Sequence, residues 1–206
     1  MNKTWQKIIK AANKSNRNVR ILNGDFIIGE RICKDFNVQS DSFLFSVIAY
    51  SSGIVINNWV RIFGQDSNEI NGVNHFNTLF KSYIPGLFLV ACDVVGGLFA
   101  IDTNRISCNH LMVYFAPDTL EWESIDMSYE DFLAWCFYGN IDEFYSSMRW
   151  KNWIEDVSHL NINKGFLIYP FLWAKECNVE NATKHIVPLD EIIKLNFENS
   201  EIISNS

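Results

Sequence analysis

The chain has 206 residues, of which 48% are hydrophobic, 15% aromatic and 20% charged, with a formal net charge of −7. This length fits one large domain, and the small numbers of glycine (10) and proline (4) exclude a collagen-like or disordered chain. The acidic balance argues against a nucleic-acid-binding protein that depends on phosphate contacts.

The N-terminal region predicts two helices, a strand between them, and a third, buried helix. The first helix has an apolar face opposite a face of lysines, and its buried set is Trp5, Ile8, Ile9 and Ala12. Residues 19–22 predict a strand that ends at the turn pair Asn23-Gly24, and Asp25 predicts the cap of the second helix. The apolar run 42–50 predicts a buried helix that ends at Gly53.

The middle of the chain predicts strands. Apolar, β-branched and aromatic runs occur at 54–56, 59–63, 87–91, 97–101, 111–115 and 120–123. The turn pair Asn57-Asn58 connects the first two runs, residues 92–96 connect the third and fourth, and 65–74 predict a polar loop.

The C-terminal region predicts helices, with one further strand. Ser128, followed three residues later by Asp131, predicts a capping box for a helix that ends at Gly139. The remaining predictions are helices at 141–148, 151–160 and 188–197, a strand at 166–169, a loop at 178–184 and fraying at 198–206.

This order of elements predicts an α+β fold with a mostly antiparallel central sheet, and with helices packed on one face and at both chain ends. We expect a single domain over residues 1–206. Its parts are N-terminal helices in 1–36, a sheet core in 54–123 and a C-terminal helical part in 128–200.

Charge is distributed unevenly along the chain. Residues 1–36 contain eight Lys or Arg and three acids, whereas 118–143 contain eight acids and no Lys or Arg. Such an acidic segment can steer a basic partner, although solubility alone explains acidic faces more often.

The cysteines predict neither disulfides nor a metal site. Five cysteines are scattered singly, mostly among apolar neighbours, which is typical of buried thiols in a reducing compartment. Cys108-Asn109-His110, with Cys92 on a neighbouring strand, is the nearest approach to a zinc site, but no C-x-x-C or H-E-x-x-H spacing accompanies it. We therefore predict no metal and no other cofactor.

The sequence offers weak signals for catalysis. Cys92 could act as a nucleophile with His75 or His110, but it continues an apolar strand and no G-x-S-x-G motif is present. Glu121 and Glu123 would lie about 7 Å apart on one strand face, as in a glycosidase-like pair. A half-buried strand with its tryptophan inward gives the same pattern, so we predict no catalytic residue.

The sequence predicts no membrane association and a cytoplasmic location. The N-terminal lysines are not followed by the apolar segment of a secretory signal, and the two most apolar stretches, 42–56 and 84–101, are interrupted by Ser, Gly or Asp.

Four stretches carry a family resemblance: 42–64, 85–102, 113–135 and 166–173. Their most specific segments are Trp59-Val60-Arg61-Ile62, Asp93-Val94-Val95-Gly96-Gly97, Tyr114 through Trp122, and Tyr169-Pro170-Phe171. On these segments the chain resembles an uncharacterised bacterial family, domain of unknown function 2625, over nearly its whole length. Phe63-Gly64-Gln65-Asp66 departs from the Gly-Ser-Gly-like segment that is usual in the family.

The order of elements is also similar to the SUKH superfamily, the Smi/Knr-type fold. Many of its members are cytoplasmic immunity proteins that bind toxins, so this resemblance implies protein binding without catalysis, to a partner such as a basic toxin. The candidate binding residues are then Asp118, Glu121, Glu123, Asp126, Glu130 and Asp131.

Two other functions stay open. The chain could bind a small molecule, or act as a hydrolase-like enzyme, through carboxylates near the 93–97 and 117–123 turns. It could also be a structural homo-oligomer, because the sequence leaves the oligomeric state open.

Overall fold

Seven strands form one antiparallel sheet, and each strand pairs with the next one along the chain. The computed structural model describes residues 2–106 and 109–204. The strands of the sheet are β1 (Val19–Asn23), β2 (Ser51–Ile56), β3 (Val60–Phe63), β4 (Leu87–Asp93), β5 (Leu98–Asp102), β6 (Met112–Ala116) and β7 (Glu121–Ser124). A separate hairpin consists of β8 (Lys164–Tyr169) and β9 (Thr183–Pro188).

Helices precede, interrupt and follow the sheet. In the described part of the chain they are α1 (Lys3–Lys14), α2 (Phe26–Asp35), α3 (Phe43–Tyr50), α4 (Val73–Leu79), α5 (Tyr129–Tyr138), α6 (Ile141–Phe144), α7 (Trp153–Ser158) and α8 (Leu189–Ser204). The predicted α+β class with an antiparallel sheet and helices at both chain ends is confirmed.

The helices cover both faces of the sheet, whereas one covered face was predicted. Phe99 and Tyr114 belong to the apolar cluster that contains α1, α5 and α6, while their strand neighbours Leu98 and Val113 belong to the cluster of α2, α4 and α8. The central strands are buried at nearly every position. Because successive side chains of a strand point to opposite faces, both faces need cover.

Local signals account for several boundaries. The Asp25 carboxylate accepts hydrogen bonds from the amides of Ile27 and Ile28 and so begins α2, as predicted. The third helix ends at Tyr50, before Gly53, and the chain passes directly into β2, where Gly53 adopts a φ of +152°.

Four elements differ from the sequence predictions, among them α6, which ends at Phe144 whereas the predicted helix reached residue 148. α4 lies partly in the predicted loop 65–74, β9 lies in and after the predicted loop 178–184, and α8 continues to Ser204 through the segment predicted to fray. The sheet also includes β1 from the predicted N-terminal helical part, and the predicted C-terminal helical part contains the β8–β9 hairpin.

Candidate functional site

The last strand of the sheet carries two of the predicted binding residues. β7 lies at the sheet edge, and its Glu121 and Glu123 side chains are exposed on the same face. Trp122 points to the opposite face, where its ring centroid lies 5.3 Å from that of Phe115. The prediction that the tryptophan packs inward while the two glutamates face solvent is confirmed.

The six predicted acids do not form one compact patch. Asp118 lies in the β6–β7 turn, beside the end of β7 that carries Glu121. Asp126, Glu130 and Asp131 follow the other end of β7, about 10 Å away along the strand. The structure therefore groups the last three acids at the start of α5 and leaves Asp118 apart from them.

The first turn of α5 fixes the position of this second group. The Ser128 hydroxyl accepts a hydrogen bond from the Asp131 amide (3.1 Å) and donates one to the Asp131 carboxylate (2.6 Å). The same carboxylate accepts the Ser128 amide at 3.3 Å, which completes the predicted capping box. Asp131 thus has a structural role, whereas no described residue bonds to the carboxylates of Glu121 and Glu130.

A groove of about 670 Å³ opens beside this turn. Four separate parts of the chain form its wall: the α2–α3 connection, the region where β4 and β5 are paired, His110, and the start of α5. Its apolar wall residues are Phe36, Val38, Phe43, Leu44, Phe88 and Ile101. The polar residues at its rim include Thr103, His110, Ser128 and Glu130.

Aromatic packing shapes the interior of the groove. The rings of Phe36 and Phe88 meet edge to face, with centroids 5.2 Å apart. Tyr129 is the most buried wall residue, and its hydroxyl has no hydrogen-bond partner within the described chain. Sequence reasoning missed the groove, because no local pattern announces that four distant segments meet. The sequence singled out two of the groove residues for other reasons. Ser128 was predicted to cap a helix, and Glu130 was predicted to bind a partner.

The Asp93 carboxylate, considered in the small-molecule alternative, is completely buried. It accepts hydrogen bonds from the amides of Val95 (3.0 Å) and Gly97 (2.9 Å) and from the Tyr114 hydroxyl (2.7 Å). Gly96 adopts the positive φ of +90° that this turn requires. A Cβ at Gly97 would overlap both the Asp93 carboxylate and the Tyr114 hydroxyl. The turn is therefore closed tightly around the carboxylate.

Burial is the largest influence on the pKa values of Asp93 and Tyr114 at this turn. Desolvation raises the pKa of Asp93 above its ordinary value, although the hydrogen bonds from Tyr114, Gly97 and Val95 oppose the shift. Desolvation, followed by the nearby Asp93 carboxylate, raises the pKa of Tyr114 well above its ordinary value. The cavity between the turns that contain Val95 and Pro117 holds only about 10 Å³, which is room for one water molecule.

A buried arginine with aromatic neighbours is a second feature that the sequence did not reveal. The Arg149 guanidinium carbon lies 3.9 Å from the ring centroid of Trp153, 4.8 Å from that of Trp59 and 5.2 Å from that of Tyr145. One of its nitrogens donates to the exposed Asp142 carboxylate at 2.6 Å. Burial lowers the pKa of Arg149, and the bond to Asp142 opposes this shift. Trp150-x-x-Trp153 was the available signal, but only the fold places Trp59 opposite it.

The cysteines outside 107–108 behave as buried or half-buried thiols. Burial raises the pKa of Cys33 to about 12 and also raises those of Cys92 and Cys136, so none of the three is activated as a nucleophile. The prediction that Cys92 is a buried thiol is confirmed. Cys108, which the sequence analysis considered as a zinc ligand together with His110 and Cys92, lies outside the described residues. Within 2–106 and 109–204, no three His, Cys, Asp or Glu side chains are grouped so as to hold a metal ion.

No helix in the described ranges is both long enough and apolar enough to cross a lipid bilayer.

Comparison with known proteins identifies relatives along most of the chain. A family described as "Protein of unknown function DUF2625" matches residues 1–192. An uncharacterised protein of Escherichia coli K12, YbfG, is 38% identical over 113 residues, which cover 54% of this chain and 51% of that protein. An uncharacterised protein of Haemophilus influenzae Rd is 28% identical over 202 residues, 94% of this chain and 88% of the relative. The chain thus spans about half the length of the E. coli relative.

Proposed function

The chain belongs to the DUF2625 family, and we propose that it is a non-enzymatic protein-binding module of the immunity type. In this proposal it acts in the cytoplasm and neutralises a basic protein toxin. The observation that carries the proposal is the contrast between exposed and buried carboxylates. Glu121 and Glu130 face solvent with no partner in the described chain, on a segment that contains no Lys or Arg.

The electrostatics of the segment support a charged partner. Exposed carboxylates of one sign raise the rate of association with a basic surface, and they act over about 8 Å at physiological salt. These carboxylates stay hydrated until the partner binds, so they impose no large desolvation cost on the free protein. The resemblance of the element order to the SUKH superfamily is the reason for proposing a toxin as that partner.

The remaining carboxylates support binding over catalysis. A catalytic acid needs a perturbed pKa and access to substrate. Asp93 has the raised pKa but is sealed within its turn, whereas Glu121 and Glu123 have access to solvent. The carboxylate whose pKa burial raises is therefore one that a substrate cannot reach. The unpaired, buried cysteines are typical of a reducing compartment and support the cytoplasmic location.

Charge reversal tests the proposal. A protein encoded next to this chain's gene is co-expressed as the candidate toxin, and binding is measured by calorimetry at low and physiological salt. We expect the variant Glu121→Lys/Glu130→Lys to lose at least about tenfold in affinity and to lose growth protection. The matched control Glu155→Lys/Glu176→Lys changes the net charge equally at exposed sites and should bind normally.

Two outcomes contradict the proposal. One is unchanged affinity of the Glu121→Lys/Glu130→Lys variant for a partner that protects growth. The other is an affinity that is equally high at both salt concentrations, which exposed charges cannot produce.

A further inference from the structure

The groove beside α5 has the composition of a receptor for an apolar group. Six hydrocarbon side chains and the Tyr129 ring form its floor and walls, and the only acidic or basic groups among its described wall residues are Glu130 and His110. Without Lys or Arg, this wall offers no fixed positive charge to a phosphate or carboxylate. An apolar group that carries or adjoins a positive charge fits it best.

The groove is open at the surface. Of its wall residues, Tyr129 alone is buried, and the others are half-buried or exposed. Sites for free small molecules bury most of the ligand surface. An open groove of about 670 Å³ instead suits a side chain that remains attached to a larger body, because that body covers the open side.

The groove is continuous with the acidic segment. Ser128 and Glu130 belong to both features, and Asp126 and Asp131 flank them in the chain. The amide of Met112, at the start of β6, donates to the carbonyl of Met127 at 2.8 Å and holds this connection against the sheet. A partner that contacts the carboxylates around α5 therefore also covers the groove.

We propose that the groove receives one large apolar side chain of the basic protein partner, flanked in the partner's sequence by Lys or Arg that contacts Glu130. This inference rests on the proposed function and deepens it, because it divides recognition into an apolar anchor and a charged rim. Burial of such an anchor is the larger contribution to affinity. The charges at the rim favour a positively charged partner and increase its rate of association.

Short peptides test the inference without the natural partner. The probes are acetyl-Lys-Phe-Lys-amide, acetyl-Lys-Ala-Lys-amide and acetyl-Glu-Phe-Glu-amide, titrated into the ¹⁵N-labelled full chain and followed by NMR chemical shifts. We expect the first probe to shift the amides of groove residues, and the other two to bind about tenfold more weakly.

Two variants locate the binding. Thr103→Trp fills the groove from its exposed rim and should abolish the shifts, whereas the matched control Thr183→Trp, at an exposed strand position outside the groove, should leave them unchanged. Glu130→Gln should reduce the preference for the lysine peptide over the glutamate peptide about threefold. Unfolding curves establish that both tryptophan variants are folded.

Several results would overturn the inference. They are the absence of shifts at groove residues, equal binding of the phenylalanine and alanine peptides, and a preference for the glutamate peptide. Stronger binding of free indole-3-acetate than of any peptide would identify a small-molecule site instead. The proposed function is judged separately: a partner that Glu121→Lys/Glu130→Lys loses but Thr103→Trp retains would refute the anchor and leave the protein-binding module standing.

Discussion

The β4–β5 turn and the β7–α5 segment both present carboxylates near the end of a strand, but they use them in opposite ways. Asp93 is enclosed by three hydrogen-bond donors and has no contact with solvent. Glu121 and Glu130 are exposed and have no partner in the described chain. The comparison shows that the same chemical group can hold a fold together at one site and be available to a partner at another.

The surroundings determine which role each carboxylate takes. Asp93 lies between central strands that are covered on both faces, so its oxygens are accommodated only where amide and hydroxyl donors replace water. β7 lies at the sheet edge, where charged side chains remain hydrated and also discourage unwanted strand pairing. Four predictions test this contrast.

The largest expected effect follows removal of the enclosed carboxylate. Asp93→Ala leaves the amides of Val95 and Gly97 and the Tyr114 hydroxyl buried without an acceptor, so the free energy of unfolding should fall by about 3–5 kcal/mol. Urea denaturation measures the change. Asp118→Ala, at a half-buried turn position, is the control and should change stability by less than about 0.5 kcal/mol. Equal effects of the two substitutions would contradict the contrast.

Arg149 should give the next largest effect. Arg149→Ala removes contacts with the rings of Trp59, Tyr145 and Trp153 as well as the bond to Asp142, and we expect a loss of about 2 kcal/mol. Thermal and urea unfolding measure it, with the exposed Arg31→Ala as a near-neutral control. A loss fully reproduced by Asp142→Ala would show that the surface ion pair, rather than the aromatic contacts, provides the stabilisation.

The pH dependence of stability should report the raised pKa of Asp93. Between the unfolded and the folded pKa of Asp93, the folded state retains a proton that the unfolded chain has already released. The stabilisation that this proton binding gives to the folded state is complete below the unfolded pKa. It is lost as the pH rises through the folded pKa. The stability advantage of the wild type over Asp93→Asn should therefore shrink with rising pH, by up to about 1.4 kcal/mol per pH unit. An advantage that grows with pH would mean that the hydrogen bonds outweigh desolvation.

The smallest expected effect completes the comparison. Glu121→Gln/Glu130→Gln should change the free energy of unfolding by less than about 0.5 kcal/mol, because neither carboxylate has a partner in the described chain. Partner affinity should fall in the same variant. A loss of more than about 1 kcal/mol of stability would show that these acids serve the fold, and would remove the basis for assigning them to binding.

Much of the fold could be predicted because local chemistry defined it. The Asp25 cap, the Ser128–Asp131 capping box and the turn after β4 all depend on residues within five positions of one another. The alternation of Glu121, Trp122 and Glu123 also predicted their orientations, since the period of a strand is fixed.

Elements stabilised by distant contacts could not be predicted in the same way. The N-cap residue of α4, Gly72, has no side chain to cap the helix, and the Asn77 amide group accepts a hydrogen bond from the Leu89 N–H and donates one to the Leu89 C=O. The extension of α8 is held by the Ser200 hydroxyl, which donates to the Leu120 carbonyl at 2.8 Å. β9 is exposed or half-buried at every position, and within the described chain it pairs with β8 alone. In each case the partner lies at least twelve residues away, and no local pattern marks it.

By itself, the sequence determined the α+β class, the order of most strands and the position of the acidic segment, because periodicity, capping and charge are local properties. Only the tertiary structure decided that both faces of the sheet are covered, that Asp93 is sealed, and that four distant segments form a groove next to Glu130. Burial and cavity shape depend on which segments contact one another, and the packing of distant parts of the chain determines those contacts.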